Sequence, residues 1–400
     1  MKKRQFWLKL CIFNFFIVSV IGVMMRYNMA FSLPGFDHKY MQESHSHFAF
    51  YGWVAACIYF FVTDYLDKSP TKINLSKYQF LMFTNQIGSY GMLISFLFGG
   101  YFWLSIVFSA ISLLTGFAFF IFLWFDTKTI QETEIIWLRA GAFFATLSSV
   151  GIFGLAYFSS KKEVFEVLFR ASTYFYLHYQ YNGFFLFSCV GLFLISLKNR
   201  GIIIPEKLNR SIFYLLLIGC FFGYGLSILW IDMPGVFNAF FAITSLIQLF
   251  GAFQLGIFVW QNRNKLSKYF LIQKILLTIV GFAFLLKFIL QATSAIPFLG
   301  AYAFNSITIV IAYLHLILLM GVSLFIIWKM LDLEYFKMNR LLIISVFVLV
   351  FGVVLNEIIL ILAAISSFFL IPFLNSVYWL LFASVSIMVS IGLFFKSIKM

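Results

Sequence analysis

Runs of apolar residues, each long enough to cross a bilayer at roughly 20 residues, follow one another along the whole chain. They fall at about 7–30, 44–66, 77–99, 101–125, 134–158, 170–197, 211–231, 236–260, 269–291, 302–328, 341–364 and 373–396. In lipid every backbone N–H and C=O must find a partner within the protein, so such runs must be helices. Hydrophobic residues make up 63% of the 400 positions and charged residues 10%, which leaves too little polar surface for a soluble domain. The reading is an all-α polytopic membrane protein with twelve transmembrane helices. Its connections are short, so residues 1–400 are expected to form a single transmembrane domain. The opening "MKKRQFWLKL" starts like a signal peptide, but its apolar run continues to Ala30 with no small-residue cleavage site, and it is expected to stay as the first helix.

Orientation follows from the basic residues. With the N-terminus inside, the inner segments carry Lys2, Lys3, Arg4, Lys68, Lys72, Lys77, Lys198, Arg200, Lys207 and Arg210. Further along they carry Arg263, Lys265, Lys268, Lys329, Lys337, Arg340, Lys396 and Lys399. The outer connections "GGY", "DMPGVFN", "SAIPFLGA" and "SSFFLIPFL" carry none, and only Lys39, Lys161 and Lys162 run against the trend. Both termini are therefore expected to be cytoplasmic, in a bacterial inner membrane. The excess of 28 basic over 14 acidic residues then points to inner loops and anionic lipid, with no role for nucleic acid. Cys11, Cys57, Cys189 and Cys220 all fall in apolar runs without CxxC spacing, which argues against disulfides and thiolate metal sites.

Within this apolar frame the stretch "QESHSHFAFYGWVAACIYFF" (42–61) places two histidines, His45 and His47, at the head of the second run. His178 and His315 lie in the sixth and tenth runs, an interval of four each time. The phrases "HFAFYGW", "YLHYQYNGFF" and "YLHLILLMGV" share a His followed five or six residues later by Gly. This repeat suggests three arcs of four helices in a pseudo-threefold arrangement. At about 1.5 Å of rise per residue, His47 stands roughly 26 Å above Asp64, His178 roughly 30 Å above Lys198 and His315 roughly 21 Å above Lys329. All share the outer half of the membrane. Ionisable residues at such depth mark functional sites, and neutral imidazole is the commonest metal ligand. His45 and His47 are about 200° apart on a helix, so they cannot chelate one metal and must serve opposite sides. Ser44, Ser46, Ala49 and Gly52 are small enough to let a flat macrocycle approach the backbone there.

"HSHFAFYGW" resembles the H-x-H-x-A-x-[YF]-G phrase of haem–copper oxidase catalytic subunits, in particular the nitric oxide reductase and cbb3-type branches. The resemblance implies twelve helices in three arcs and one or two haems b. It gives His45 the high-spin haem, His47 the low-spin haem, and His315 the opposite axial position of the low-spin haem. It places His178 where a ligand of copper or non-haem iron would stand, as part of a nitric oxide or oxygen reductase. The phrase sits on the second run here and on the tenth helix in that family. No His pair occurs in the seventh run, and Asn182 stands four residues after His178, so a three-His copper site cannot form.

Other intramembrane polar groups are few. Lys287 and Glu357 read either as a lysine reaching the outer rim and a carboxylate paired with it or with Asn356, or as a proton route or metal ligand. His178 and Glu357 are accordingly the candidate catalytic and metal residues. Arg26 and Arg170, near outer helix ends, are candidates to neutralise haem propionates. Gln180 and Asn182 are unusually polar for a span. Electrons would come from quinol or a donor subunit, because no copper-A or c-type haem motif is encoded. The alternatives are a haem- or metal-dependent sensor or accessory protein, and a cofactor-free proton-coupled transporter. Reporter fusions at "KNRGIIIPEKLNR" and "DMPGVFN" are expected to read inside and outside respectively; the reverse would overturn the orientation.

Overall fold

The computed structural model describes residues 2–398 apart from 70, 131, 160–162 and 370; Lys161, Lys162 and Lys399 lie outside the described residues. All regular structure among the described residues is helical. The helices are α1 (Lys2–Phe31), α2 (His38–Asp67), α3 (Leu75–Gly99), α4 (Trp103–Asp126), α5 (Ile135–Ser159) and α6 (Glu166–Asn199). They continue with α7 (Glu206–Gly223), α8 (Gly235–Gln261), α9 (Leu271–Thr293), the short α10 (Pro297–Asn305), α11 (Ile307–Asp332), α12 (Arg340–Phe369) and α13 (Ser376–Ser397). Among the described residues, 11 helices are long and apolar enough to cross a membrane. The one expected span outside that set is α3, which has the length, 25 residues, but is diluted by Lys77, Asn85, Gln86 and Ser89.

Contacts divide the chain into two compact units, Met1–Phe119 with Ser323–Met400 (unit 1) and Phe120–Val322 (unit 2). In unit 1, α12 packs on α13, α13 on α1, α1 on α2, and α2 on α3. Small residues bring backbones together. A Cβ on Gly88 of α3 would collide with Ser112 Oγ and stand 3.1 Å from the Phe108 carbonyl on α4. In unit 2, α5 packs on α6, α7 on α8, and α8 on α9. There a Cβ on Gly141 of α5 would stand 3.1 Å from the Phe184 carbonyl on α6. Near the end of α2 in unit 1, the Asp64 carboxylate accepts from Arg4 Nε at 2.9 Å, Lys68 Nζ at 2.8 Å and the Tyr335 hydroxyl at 2.7 Å. Partial burial alone would lower the Lys68 pKa, but Asp64 and Tyr335 hold it above its ordinary value. In unit 2, Lys198 reaches Glu132 and Glu134 at 3.2 and 3.4 Å.

Two helices are buried along almost all of their most apolar stretch: 89% of that stretch in α2 and 94% in α6, against 22% for α4. These two, together with α11, do not stay α-helical. Each widens into a π-helical segment, at Phe48–Ala55, Tyr179–Phe185 and Leu316–Ser323. Every one of these segments begins on the residue after a histidine: His47, His178 and His315. Each contains the glycine of the repeated phrase, Gly52, Gly183 or Gly321. The His-to-Gly phrase of the sequence is thus the local code of a π segment. The glycines are needed because aromatic rings lie against the widened turns. A Cβ would stand 2.6 Å from the Phe48 ring at Gly52, would strike Phe144 of α5 at Gly183, and would come to 3.3 Å from Phe284 of α9 at Gly321.

A π segment disturbs the carbonyl ladder, and orphan carbonyls inside a membrane protein must be capped from elsewhere. In α2 the neighbours supply the caps. Asn14 Nδ2 of α1 donates to the Gly52 carbonyl at 2.6 Å, and Asn85 Nδ2 of α3 donates to the Tyr51 carbonyl at 2.9 Å. Asn14 is held in turn by Gln86 Oε1 at 2.9 Å and by the Tyr90 hydroxyl, which donates to Asn14 Oδ1 at 2.7 Å. This accounts for two of the polar residues of α3: Asn85 serves α2 directly, and Gln86 serves it through Asn14. Removing the Asn85 cap with Asn85→Leu is expected to cost about 1–3 kcal/mol, the usual penalty for an orphaned buried group. Asn14→Leu should cost more. A thermal melt of the purified protein reads both, and an unchanged midpoint for Asn14→Leu would contradict the capping role.

Candidate functional site

The four intramembrane histidines divide by the nitrogen they commit. His45 Nδ1 donates to the Val18 carbonyl of α1 at 3.0 Å. His47 Nδ1 donates to the Glu43 carbonyl, four residues back, at 2.8 Å, and His315 Nδ1 makes the same contact with Ile311 at 2.9 Å. A carbonyl can only accept, so in each ring the proton sits on Nδ1. The lone pair of the neutral imidazole is then on Nε2. That is the arrangement in which a backbone carbonyl fixes tautomer and ring plane for ligation through the other nitrogen.

His45 and His47 face opposite sides of α2, as their spacing requires. His45 lies against α1 beside Gly22, where a Cβ would stand in ordinary contact with the ring, 3.4 Å from His45 Cε1. His47 stacks on Phe96 of α3, with centroids 4.3 Å apart, and its Nε2 accepts from the Tyr101 hydroxyl at 3.2 Å. Tyr101 is 61% exposed, so its hydroxyl can turn away from His47 without leaving a buried orphan. Part of the expected flat approach to α2 is closed, however. Ser44 donates to the Leu93 carbonyl of α3 at 2.7 Å, and the Phe48 ring covers Gly52.

His178 is built the other way round. Its Nε2 donates to the Cys220 carbonyl at 2.9 Å, and its Nδ1 accepts from Asn182 Nδ2 at 3.0 Å, with Ser227 Oγ at 3.5 Å. Both nitrogens are committed in a residue only 1% exposed. The reason lies in α7, which ends at Gly223 and continues as the 3-10 turn Tyr224–Ile228. The change of winding frees carbonyls in the last α-turn. His178 caps that of Cys220, and the neighbouring Tyr179 hydroxyl caps that of Phe221 at 2.7 Å. Other tyrosines around it pack, as with Tyr181 edge-on to Tyr313. Gln180 accepts from Ser148 Oγ at 3.0 Å.

The charged candidates take separate places. Glu357 of α12 is buried, accepts from Asn356 Nδ2 at 3.1 Å, and lies within electrostatic reach of Arg26 on α1. Arg170 of α6 stacks over the Trp230 ring at 4.3 Å and donates to the Phe304 carbonyl at 3.3 Å. It lines a cleft of about 280 Å³ with Trp230, Asn238 and Ser294. Lys287 does not reach for the rim, contrary to the simpler reading of the sequence. Its side chain is 1% exposed, and its ammonium has no hydrogen-bond partner among the described residues.

No protein-family model matches the chain, and no curated protein is similar to it. The site must be judged by its own donors. Three neutral imidazoles with Nε2 as the lone-pair nitrogen suit axial ligation of a haem, which needs only one or two protein ligands. A non-haem iron or copper needs several ligands converging on one point. Among the described residues no group of three His, Cys, Asp or Glu could hold a metal ion. The tautomers of His45, His47 and His315 are those that ligate through Nε2, and that is as far as the donors go toward a haem. The split by tautomer was not legible in the sequence, where His178 looks like its counterparts; the one signal was Asn182, a helical turn beyond it.

His178→Leu is expected to destabilise the protein by about 1–3 kcal/mol, because the Cys220 carbonyl and the Asn182 amide lose their partner together. Thermal melting checks this. A variant as stable as the parent would show that His178 is not a structural cap.

Proposed function

We propose that the chain is an integral membrane haem-binding protein with the twelve-span, three-arc plan of haem–copper oxidase catalytic subunits. In this reading it handles nitric oxide or oxygen at haem b without a three-histidine copper site. One observation carries the reading: three histidines on spans four apart each lead directly into a π segment, a feature concentrated at functional sites. Two of these three, with His45, hold Nδ1 on a carbonyl, which makes Nε2 the lone-pair nitrogen of each neutral ring.

His47 and His315 would each offer an imidazole to haem b, and His45, on the other face of α2, would hold a second haem. Arg26 and Arg170 would neutralise propionates, Arg170 by exchanging its contact with the Phe304 carbonyl for one with the haem. When bound, haem b supplies an iron that takes up a diatomic gas and exchanges single electrons. The chain's own part is to fix each imidazole in one tautomer and ring plane, and to keep water from the iron with the aromatic packing around His47. Quinol or a donor subunit would bring electrons, and the bacterial inner membrane is the expected setting.

The committed nitrogens of His178 favour a second reading over turnover at a binuclear centre: a gas-binding sensor or accessory protein. A reduced-minus-oxidised spectrum with pyridine extraction of the purified protein tests the proposal. Haem b is expected, with a low-spin signal lost in His315→Ala and in one of His45→Ala or His47→Ala. His178→Leu should leave that signal in place. Carbon monoxide binding that depends on the other α2 histidine would mark a second, high-spin haem. A colourless protein that moves a solute into vesicles would replace this reading with a proton-coupled transporter.

A further inference from the structure

The geometry points to a binding site for a small monovalent anion inside unit 2, built on Lys287. The inference is independent of the haem reading. Lys287 lies on α9, about 9 Å along the helix from its outer end at Thr293. A lysine at that depth can extend toward water, yet this one is 1% exposed. Its Nζ rests 3.9 Å over the Phe288 ring and has no hydrogen-bond acceptor among the described residues. The groups in its electrostatic surroundings are His178 and Cys220, neither of them a carboxylate.

An ammonium without a counter-charge in an apolar interior is among the most costly arrangements a membrane protein can keep. The surroundings are prepared for a polar guest. Gln291 stands four residues on, on the same face of α9, and both its Oε1 and the Oδ1 of Asn182 are buried without a partner among the described residues. Gly223 of α7 lies against Gln291 and His178. A Cβ there would stand 3.2 Å from Gln291 Nε2 and 3.5 Å from His178 Cε1. A small anion that accepts from Lys287, accompanied by a water that donates to Gln291 Oε1, would satisfy both groups on this face of α9. A divalent or bulky anion is excluded, because the cluster offers a single positive charge in closely packed surroundings.

The full-length protein in nanodiscs, melted in sodium formate, sodium nitrite or sodium chloride at constant ionic strength balanced with sodium gluconate, tests this. At least one small anion is expected to raise the midpoint saturably, as ligand linkage requires. The haem spectrum, if present, should not change with it, which separates this site from a ligand on iron. Lys287→Met is expected to weaken the half-saturating concentration at least tenfold, while Lys287→Arg keeps it within a few fold. Should Lys287→Met fail to fold, Gln291→Leu, which leaves the charge in place, is expected to weaken it several-fold. The absence of any saturable response, or a response unchanged in Lys287→Met or in Gln291→Leu, overturns the proposal.

Discussion

A backbone carbonyl without a donor is not tolerated inside lipid, and most of this protein's polar chemistry answers that constraint. Three spans leave the α-helical ladder, and a fourth, α7, ends in a 3-10 turn. Each departure calls for side-chain donors in the interior. Asn14 and Asn85 answer α2, while His178 and Tyr179 answer α7. Residues that stand out in a hydropathy profile as anomalies are in these cases structural partners. Polar groups left over after this accounting therefore carry more weight as functional candidates.

That distinction reorganises the histidines. Intramembrane position alone made His45, His47, His178 and His315 equivalent. Hydrogen bonding separates them, since three donate from Nδ1 to carbonyls and one donates from Nε2. The same test separates the cations. Arg170 is occupied with Trp230 and a carbonyl, whereas the Lys287 ammonium lacks any hydrogen-bond acceptor among the described residues.

The helical, membrane-spanning character of the chain was legible because lipid imposes it on any run of this length and apolarity. The His-to-Gly phrase was legible as a repeat, though not as a change of helical winding, since i→i+5 bonding leaves the apolar pattern almost unaltered. The length of α3 was read correctly from its boundaries, but the purpose of its Asn85, Gln86 and Ser89 was not. A polar residue facing a neighbour's orphan carbonyl has the same spelling as one facing a ligand. His178 and Lys287 show the same limit from two sides, because which polar atoms meet is a tertiary fact.

The π segments also alter how one end of a span is aimed relative to the other. An extra residue in a helical turn turns everything beyond it by about 100°, the angular step of one residue. In α2 the histidines lie before Phe48–Ala55, and Asp64, with its Arg4 and Lys68 partners, lies after it. A straight α-helix could not present both groups on the faces they now occupy. The widened turn therefore acts as a phase adjuster, letting the C-terminal end of the helix be oriented for its ion pairs without dictating where the N-terminal end points its imidazoles.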